Sequence, residues 1–445
     1  MPAPLRGAGR FPMNLLQKFR QRKPHVLLEN TIMLYILTFS NALLGLVTQG
    51  YQTRVLGAEH IGLLGAANYT TNFFQIFIDF GFIMSATAKI SQHREDKKYL
   101  NKTLTCVVSA KCFFMVLSFL VLMIFIRPTL KEPGELLAYV FYLLYVCMVA
   151  LLPDFMYRGL EKMSAITVRA VLVKVFATAM VFVFVKQPED YYLVPLISAI
   201  GNAGATLFVY WHLFAKIGLR FAKVSFRDIW LEIKDASQFF LSKVSAAINS
   251  NLNGILLKNV AGPVANGLYF NADKVISTAR NGMSPISDSL YPHMMKHKNF
   301  KLVKKAMLYI YPIILAGCAF VFVLARPLLV WWLGEEVGAQ VVLPLRLLIP
   351  AAVFTFPNYI LGYPTLGAMG LARYANISVA FGTAVYLIGV GVSFLTWGID
   401  LVSLCVLTSL TDFAILVFRL VVIVRNRHLM NGSEGPLSEK EEKQP

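Results

Sequence analysis

The 445 residues predict an all-α, polytopic membrane protein, with about twelve transmembrane helices in two six-helix lobes around a central cavity. Hydrophobic residues make up 57% of the chain and charged residues 15%, where soluble globular chains carry roughly 25% charge; mean hydropathy is +0.60. Apolar runs recur along the sequence at about twenty residues, the length that crosses ~30 Å of hydrocarbon at ~1.5 Å per residue. Basic residues gather in alternate connections between those runs, as the positive-inside rule requires of cytoplasmic loops. The net charge of +18 therefore reads as topology. Nucleic acid is excluded as a partner, because no single soluble face collects the Lys and Arg that bind phosphates.

In chain order, a basic stretch at residues 1–29 is expected in the cytoplasm. It lacks the short apolar region and small-residue site of a cleaved signal peptide, and Met13 offers a second start. Spans one to six are expected at 30–49, 62–89, 103–126, 135–153, 164–185 and 192–214, which together form the first lobe, 30–214. A polar connector, 215–235, leads to spans seven to twelve at 236–257, 263–291, 305–325, 340–365, 374–396 and 401–424. These form the second lobe, 236–424, and residues 425–445 are a polar cytoplasmic tail. The second connection holds Lys89, Arg94, Lys97, Lys98 and Lys102; the sixth holds Lys216, Arg220, Lys223, Arg227 and Lys234; the eighth holds Lys296, Lys298, Lys301, Lys304 and Lys305. Odd connections hold few basic residues, such as Arg54, Lys186 and Arg326. The basic clusters share one side only if the number of spans is even and both termini are cytoplasmic. Cys106, Cys112, Cys147, Cys318 and Cys405 fall within apolar runs without a C-x-x-C pair, so neither a disulfide framework nor a metal site is expected.

Displaced by about two hundred residues, the sequence resembles itself. Arg54 to Gly57, leading to Gly62, answers Lys258 to Ala261, leading to Gly267. Arg127-Pro128 answers Arg326-Pro327, and Pro153-Asp154 answers Pro357-Asn358. Two copies of a six-helix unit enter the membrane from the same side, so an axis along the membrane normal relates them. Transporters built on such parallel repeats place the substrate between the halves.

Polar side chains are costly against lipid, so within spans they face other helices or a wet cavity. Span two carries Asn68, Asn72, Gln75 and Asp79, spaced to lie on one helix face. Span eight repeats the spacing with Asp273, Ser277, Arg280 and Ser284. Thr38, Asn41, Gly45 and Gln49 of span one are answered by Ser242, Ser245, Asn249 and Asn253 of span seven. The first two spans of each half thus turn polar faces toward a common space. Helix packing is an open alternative for the small polar residues, and an Asp–Arg pair is one for the ionisable residues. In a hydrated cavity, Arg280 would draw a phosphate by charge and forked hydrogen bonds, among Asn68, Asn72, Gln75, Asn249, Asn253 and Ser277. Asp79 or Asp273 would take up a coupling cation or proton. Arg54 and Lys258, just beyond spans one and seven, are candidate gates or interfacial anchors. Lys89, Arg169 and Lys174 are further candidates for gating or phosphate contact, with snorkelling as the alternative for the two in span five. No catalytic residue and no cofactor is expected: external connections are short, none combines His with paired carboxylates or a nucleophile, and no Walker A loop is present.

The string Tyr51 to Leu63 (YQTRVLGAEHIGL) and the string Ile78 to Ser91 (IDFGFIMSATAKIS), followed by a loop with Arg94, Asp96, Lys97 and Lys98, resemble motifs of the O-antigen and capsule oligosaccharide flippases (Wzx type). These belong to the multidrug/oligosaccharidyl-lipid/polysaccharide exporter superfamily. The likeness is closest over the first span pair and continues as a pattern over all twelve. It implies alternating-access transport of undecaprenyl-diphosphate-linked oligosaccharide repeat units from the cytoplasmic to the periplasmic leaflet of a bacterial inner membrane. The process served would be O-antigen, capsule or exopolysaccharide assembly, with the glycan lipid, the bilayer, a polysaccharide polymerase and chain-length proteins as partners. The family's Arg after the first span maps onto Arg54, and its acidic position before Phe-Gly maps onto Asp79. A cation-coupled multidrug exporter of the same superfamily is the alternative, against which Arg280 argues. A membrane polysaccharide polymerase or ligase would need a large external loop with basic catalytic groups, which the short connections do not supply.

Overall fold

A computed structural model of the chain describes residues 24–160 and 163–431, and every regular element among them is a helix. Most of the expected N-terminal segment and tail, with Met13 and the side chain of Ser242, lies outside the described residues. The first half contains α1 (Pro24–Asp79), α2 (Phe82–Gln92), α3 (Lys97–Val121), α4 (Pro133–Leu151), the short α5 (Asp154–Gly159), α6 (Met163–Phe184) and α7 (Leu193–His212). The second contains α8 (Phe226–Val260), α9 (Pro263–His297), α10 (Phe300–Val323), α11 (Ala325–Leu333), α12 (Glu335–Ile360), α13 (Ala372–Leu395), α14 (Leu401–Arg425) and the short α15 (His428–Asn431).

Among the described residues, nine helical stretches are long and apolar enough to cross a membrane. One of them, Thr38–Gln92, runs for 55 residues, far beyond the ~20 that a crossing needs. Gly57 divides it, with φ 72 and ψ 174, a conformation that glycine adopts without the steric cost a Cβ would bring. The helices at the expected seventh and eighth spans, α8 and α9, have 35 residues each but are not among the nine. Their polar stripes lower the apolarity that composition alone can detect.

The structure also corrects the connector. Helix α8 starts at Phe226, inside the stretch expected as loop, because Ser225 and Asp228 cap it reciprocally: the Asp228 amide donates to Ser225 Oγ at 3.3 Å and the Ser225 amide to Asp228 Oδ2 at 3.1 Å. The Lys102 ammonium, 2.8 Å away, and these donors hold the Asp228 carboxyl down at about 2. Such reciprocal caps satisfy the amides a helix start leaves unpaired.

Span two is broken where continuous helix was expected, whereas span four is one continuous helix to Leu151. Helix α1 ends at Asp79, Phe80 and Gly81 take φ 37 and 91, and α2 continues beyond them. Lys111 of α3, only 2% exposed, lies behind this break and donates to Asp79 Oδ1 at 2.9 Å and to the Ala150 carbonyl, near the end of α4, at 2.6 Å. In the second half, Arg419 of α14 is also buried and donates to the Asn358 carbonyl near the end of α12 and to Ser378 Oγ. Each half thus brings a buried cation to a carbonyl near the end of a helix, where intrahelical hydrogen bonding runs out.

The halves dock chiefly along α1 and α9. A Cβ on Gly62 would lie 1.7 Å from the Pro263 carbonyl oxygen, and one on Gly267 would lie 1.9 Å from that of Ala58. Pro263 and Gly267 stand in the second half where Ala58 and Gly62 stand in the first, so the contact is reciprocal across the repeat. Small residues permit this close approach of helix backbones.

Candidate functional site

A cavity of about 340 Å³ lies between the halves. Helix α1 lines it with Thr48, Gln49, Gln52, Asn68, Tyr69 and Asn72, α4 with Tyr142 and Tyr145, and α6 with Lys174 and Thr178. From the second half come Ser250 and Asn251 of α8 and Asp273, Lys274 and Ser277 of α9. Hydrogen bonds join the two walls. Asn72 Nδ2 donates to Asn68 Oδ1 and Asn251 Oδ1, both at 3.2 Å, and Tyr69 donates to Asp273 Oδ2 at 2.8 Å. Gln49 and Thr53 both donate to Asn271 Oδ1, at 3.0 and 2.8 Å.

The cavity carries two lysines and one carboxylate. Asp273 is held by Tyr69, whereas neither Lys174 nor Lys274 has an ion pair or side-chain hydrogen bond among the described residues. The Lys274 ammonium comes close to Gly45, where a Cβ would stand 3.4 Å from it. Two lysines against one carboxylate leave the cavity lining with an excess of basic groups, which favours an anion.

Of the residues expected to form the cavity, Asn68, Asn72, Ser277, Asp273 and Lys174 line it. The others lie elsewhere. Gln75 is half-buried outside it. Asn249 and Arg280 line another cavity of about 240 Å³ within the second half, which shares Ser250 with the central one and in which Arg280 pairs with Asp412. Asn253 is fully buried: it donates to Tyr269 and Thr408 and accepts from Tyr386. Ser250 and Asn251 are the residues that α8 turns to the central cavity, and the face that carries Asn253 packs inside the second half. Asp79 is committed to Lys111, and Arg169 makes two hydrogen bonds with Asp154, at 2.8 and 3.2 Å. Lys89 pairs with Glu232 and Asp235, at 2.9 and 2.7 Å, where α8 begins.

Arg54 and Lys258 meet the opposite half near the Gly57 end. Arg54 donates to the carbonyls of Trp331 and Trp332, just before α12, and Lys258 lies 2.5 Å from Glu135, at the start of α4. Helices α4 and α12 hold equivalent places in the two halves, so each cation reaches the same point on the other half. Trp332 Nε1 donates to the Leu46 carbonyl at 2.8 Å, and Asn266 Nδ2 to that of Gly62 at 2.6 Å. Both contacts add to the seam.

Sequence reasoning missed Lys274, Lys111, Glu135, Asp412 and Arg419. A usable signal existed for four of them, since an ionisable residue inside a span is a functional candidate by default. Glu135 stands at the edge of a span and becomes meaningful only beside Lys258.

Residues 27–298 match the family model described as polysaccharide biosynthesis protein. A protein of Escherichia coli (strain K12) named "Putative O-antigen transporter" is 25% identical over 293 residues, covering 63% of this chain and 69% of that one. A protein of the same name from Shigella dysenteriae is 23% identical over 289 residues, covering 63% and 70%. Among solved structures, the lipid II flippase MurJ in an inward closed conformation has a TM-score of 0.70 at 12% identity, over 90% of each chain. An inward-facing multidrug resistance MATE family transporter of the MOP superfamily has a TM-score of 0.65 at 15% identity, over 90% of this chain and 98% of that one. At these identities the two structures establish the shared fold.

Proposed function

The chain belongs to the polysaccharide biosynthesis protein family, and from that premise we propose that it is a flippase for lipid-linked oligosaccharides that performs no covalent chemistry. The relatives named as O-antigen transporters support this class of substrate. The observation that carries the reading is the pair Lys174 and Lys274, set against the single carboxylate of Asp273 in a cavity to which both halves contribute. A diphosphate linker is an anion that such ammonium groups attract strongly where water is scarce. Asn68, Asn72 and Asn251 supply amide donors and acceptors for sugar hydroxyls, and Tyr142 and Tyr145 supply rings beside them. The same positive charge disfavours a cationic drug.

The finer reading is that undecaprenyl-diphosphate-linked repeat units move from the cytoplasmic to the periplasmic leaflet of a bacterial inner membrane. Twelve crossings with both termini in the cytoplasm put the Gly57 seam on the periplasmic side. The lobes are then 30–214 and 236–424, joined by 215–235, and alternating access requires the seam to part while the opposite end closes. A polymerase and chain-length proteins would receive the product.

Lys174→Gln and Lys274→Gln should each lower transport about tenfold, the scale of one charge-assisted hydrogen bond, and together about a hundredfold. The measurement is restoration of surface polysaccharide in a flippase-deficient strain, at matched membrane levels of protein. Full restoration by the double variant would sink the cavity assignment.

A further inference from the structure

Helices α6 and α7 enclose a second cavity, of about 450 Å³, lined mostly by apolar side chains. Its lining residues Val168 and Leu172 of α6 and Phe208 of α7 are 54%, 63% and 60% exposed. Both helices lie in stretches long and apolar enough to cross the membrane, so this groove opens onto hydrocarbon. One end is polar: Tyr157 and His212 are hydrogen-bonded at 2.8 Å, and Arg169 is held by Asp154.

Helical register relates the groove to the central cavity. At 3.6 residues per turn, residues 168, 169, 172 and 173 of α6 lie nearly opposite 174, 177, 178 and 181, which line the central cavity. Helix α6 is therefore a wall one helix thick. On α7, by contrast, Val194 and Ser198 of the cavity share a face with Ala205, Val209 and His212 of the groove. The helices cross at Gly201, where a Cβ would lie 3.2 Å from Phe176 Cδ1 and 3.4 Å from Val173 Cγ1. One face of α7 thus runs beneath α6 from groove to cavity.

We propose that this groove receives the polyisoprenoid chain of the lipid-linked substrate while Arg169 and His212 meet its diphosphate, before the head group passes behind α6 to Lys174. This rests on the flippase reading. A groove lined by exposed apolar side chains of membrane-crossing helices suits a hydrocarbon chain better than a polar solute. Its polar end lies where α6 begins and α7 stops, which is the cytoplasmic end on the proposed topology. The order from polar to apolar along the groove therefore matches an anionic amphiphile standing in the leaflet from which it is loaded. Arg169 uses two of its five donors on Asp154, which fixes the guanidinium and leaves N–H groups for phosphate oxygens.

The test uses the full chain in proteoliposomes, with undecaprenyl diphosphate carrying one radiolabelled N-acetylglucosamine as the probe. A photo-crosslinking side chain at Leu172 or Phe208 should give labelled adducts, and one at Phe320, 58% exposed on α10, should give none above background. Equal labelling at all three, or phospholipid adducts alone at the first two, overturns the proposal. Ala205→Trp, which fills the groove, should slow transport of the probe about tenfold, the equivalent of unburying about two methylene groups. Leu172→Asn makes the same test should Ala205→Trp fail to incorporate. Wild-type vesicles that move no probe would count against the flippase reading itself. Wild-type transport matched by these variants at equal incorporation would remove the groove alone.

Discussion

At the scale of single residues, the ionisable groups inside the spans divide into those with partners and those without. Asp79 fits the family's acidic position and looks from its spacing like a cavity residue, yet Lys111 holds it at 2.9 Å and also takes up the Ala150 carbonyl. Removing one partner of a buried ion pair leaves the other uncompensated and typically costs about 3–5 kcal/mol. Lys111→Met should therefore lower the thermal stability of the purified protein sharply, and adding Asp79→Asn should recover part of the loss. Melting curves in detergent would show it; a double variant no more stable than the single one would mean that the pair is not coupled. Lys174 and Lys274 are the opposite case, lysines in the cavity without an ion pair within bonding distance, and their removal should affect transport more than stability.

At the scale of the helix, the decisive features are breaks and close approaches. Helix α1 breaks at Gly57 and ends at Asp79, and α12 ends where Arg419 meets the Asn358 carbonyl. In each half a buried cation, Lys111 or Arg419, meets a carbonyl near such a helix end. The seam of α1 and α9 depends on Gly62 and Gly267, each facing a carbonyl of the other helix. Gly267→Ala would place a methyl 1.9 Å from the Ala58 carbonyl oxygen, so the helices must separate. Cysteines introduced at Glu59 and Val264, near this contact, should then become more reactive to a membrane-impermeant thiol reagent. Reactivity unchanged from the parent would show that the seam tolerates the methyl and does not depend on glycine.

At the scale of the whole molecule, Arg54 and Lys258 form two equivalent latches. Each leaves the end of its own half's first span and meets the other half, Lys258 at the start of α4 and Arg54 at the end of α11. The Lys258–Glu135 pair is well buried, at 10% and 3% exposure, whereas Arg54 is exposed, so the first should hold the halves together more strongly. Loss of one latch, at ~1 kcal/mol, should shift the balance of conformations about fivefold toward one open at this end. Spin labels at Glu189 and Thr396, both exposed in connections at this end, would report it. Arg54→Ala with Glu135→Gln should lengthen the measured distances, and an unaltered distribution would rule out a latch.

Hydropathy, loop charge and the internal repeat together specify a helical membrane protein in two related halves, because burial in lipid imposes long apolar runs whatever their packing. They also mark α1 and α9 as polar faces, since a stripe at helical spacing can be read along one helix. The polar stripes of α8 and α9 keep both helices outside the strongly apolar set, although the sequence places spans there, and at Phe226 a local cap extends helix into expected loop. The partners of the charges are a property of tertiary structure alone. Spacing put Asp79, Arg280 and Asn253 in one cavity, but Lys111, Asp412 and Tyr386, on other helices, engage them away from it. One helix's sequence shows which face is polar. Which neighbour neutralises that face depends on other helices, 32 residues away for Lys111 and Asp79 and 132 for Arg280 and Asp412, and so does the pairing of Lys174 with Lys274 between the halves.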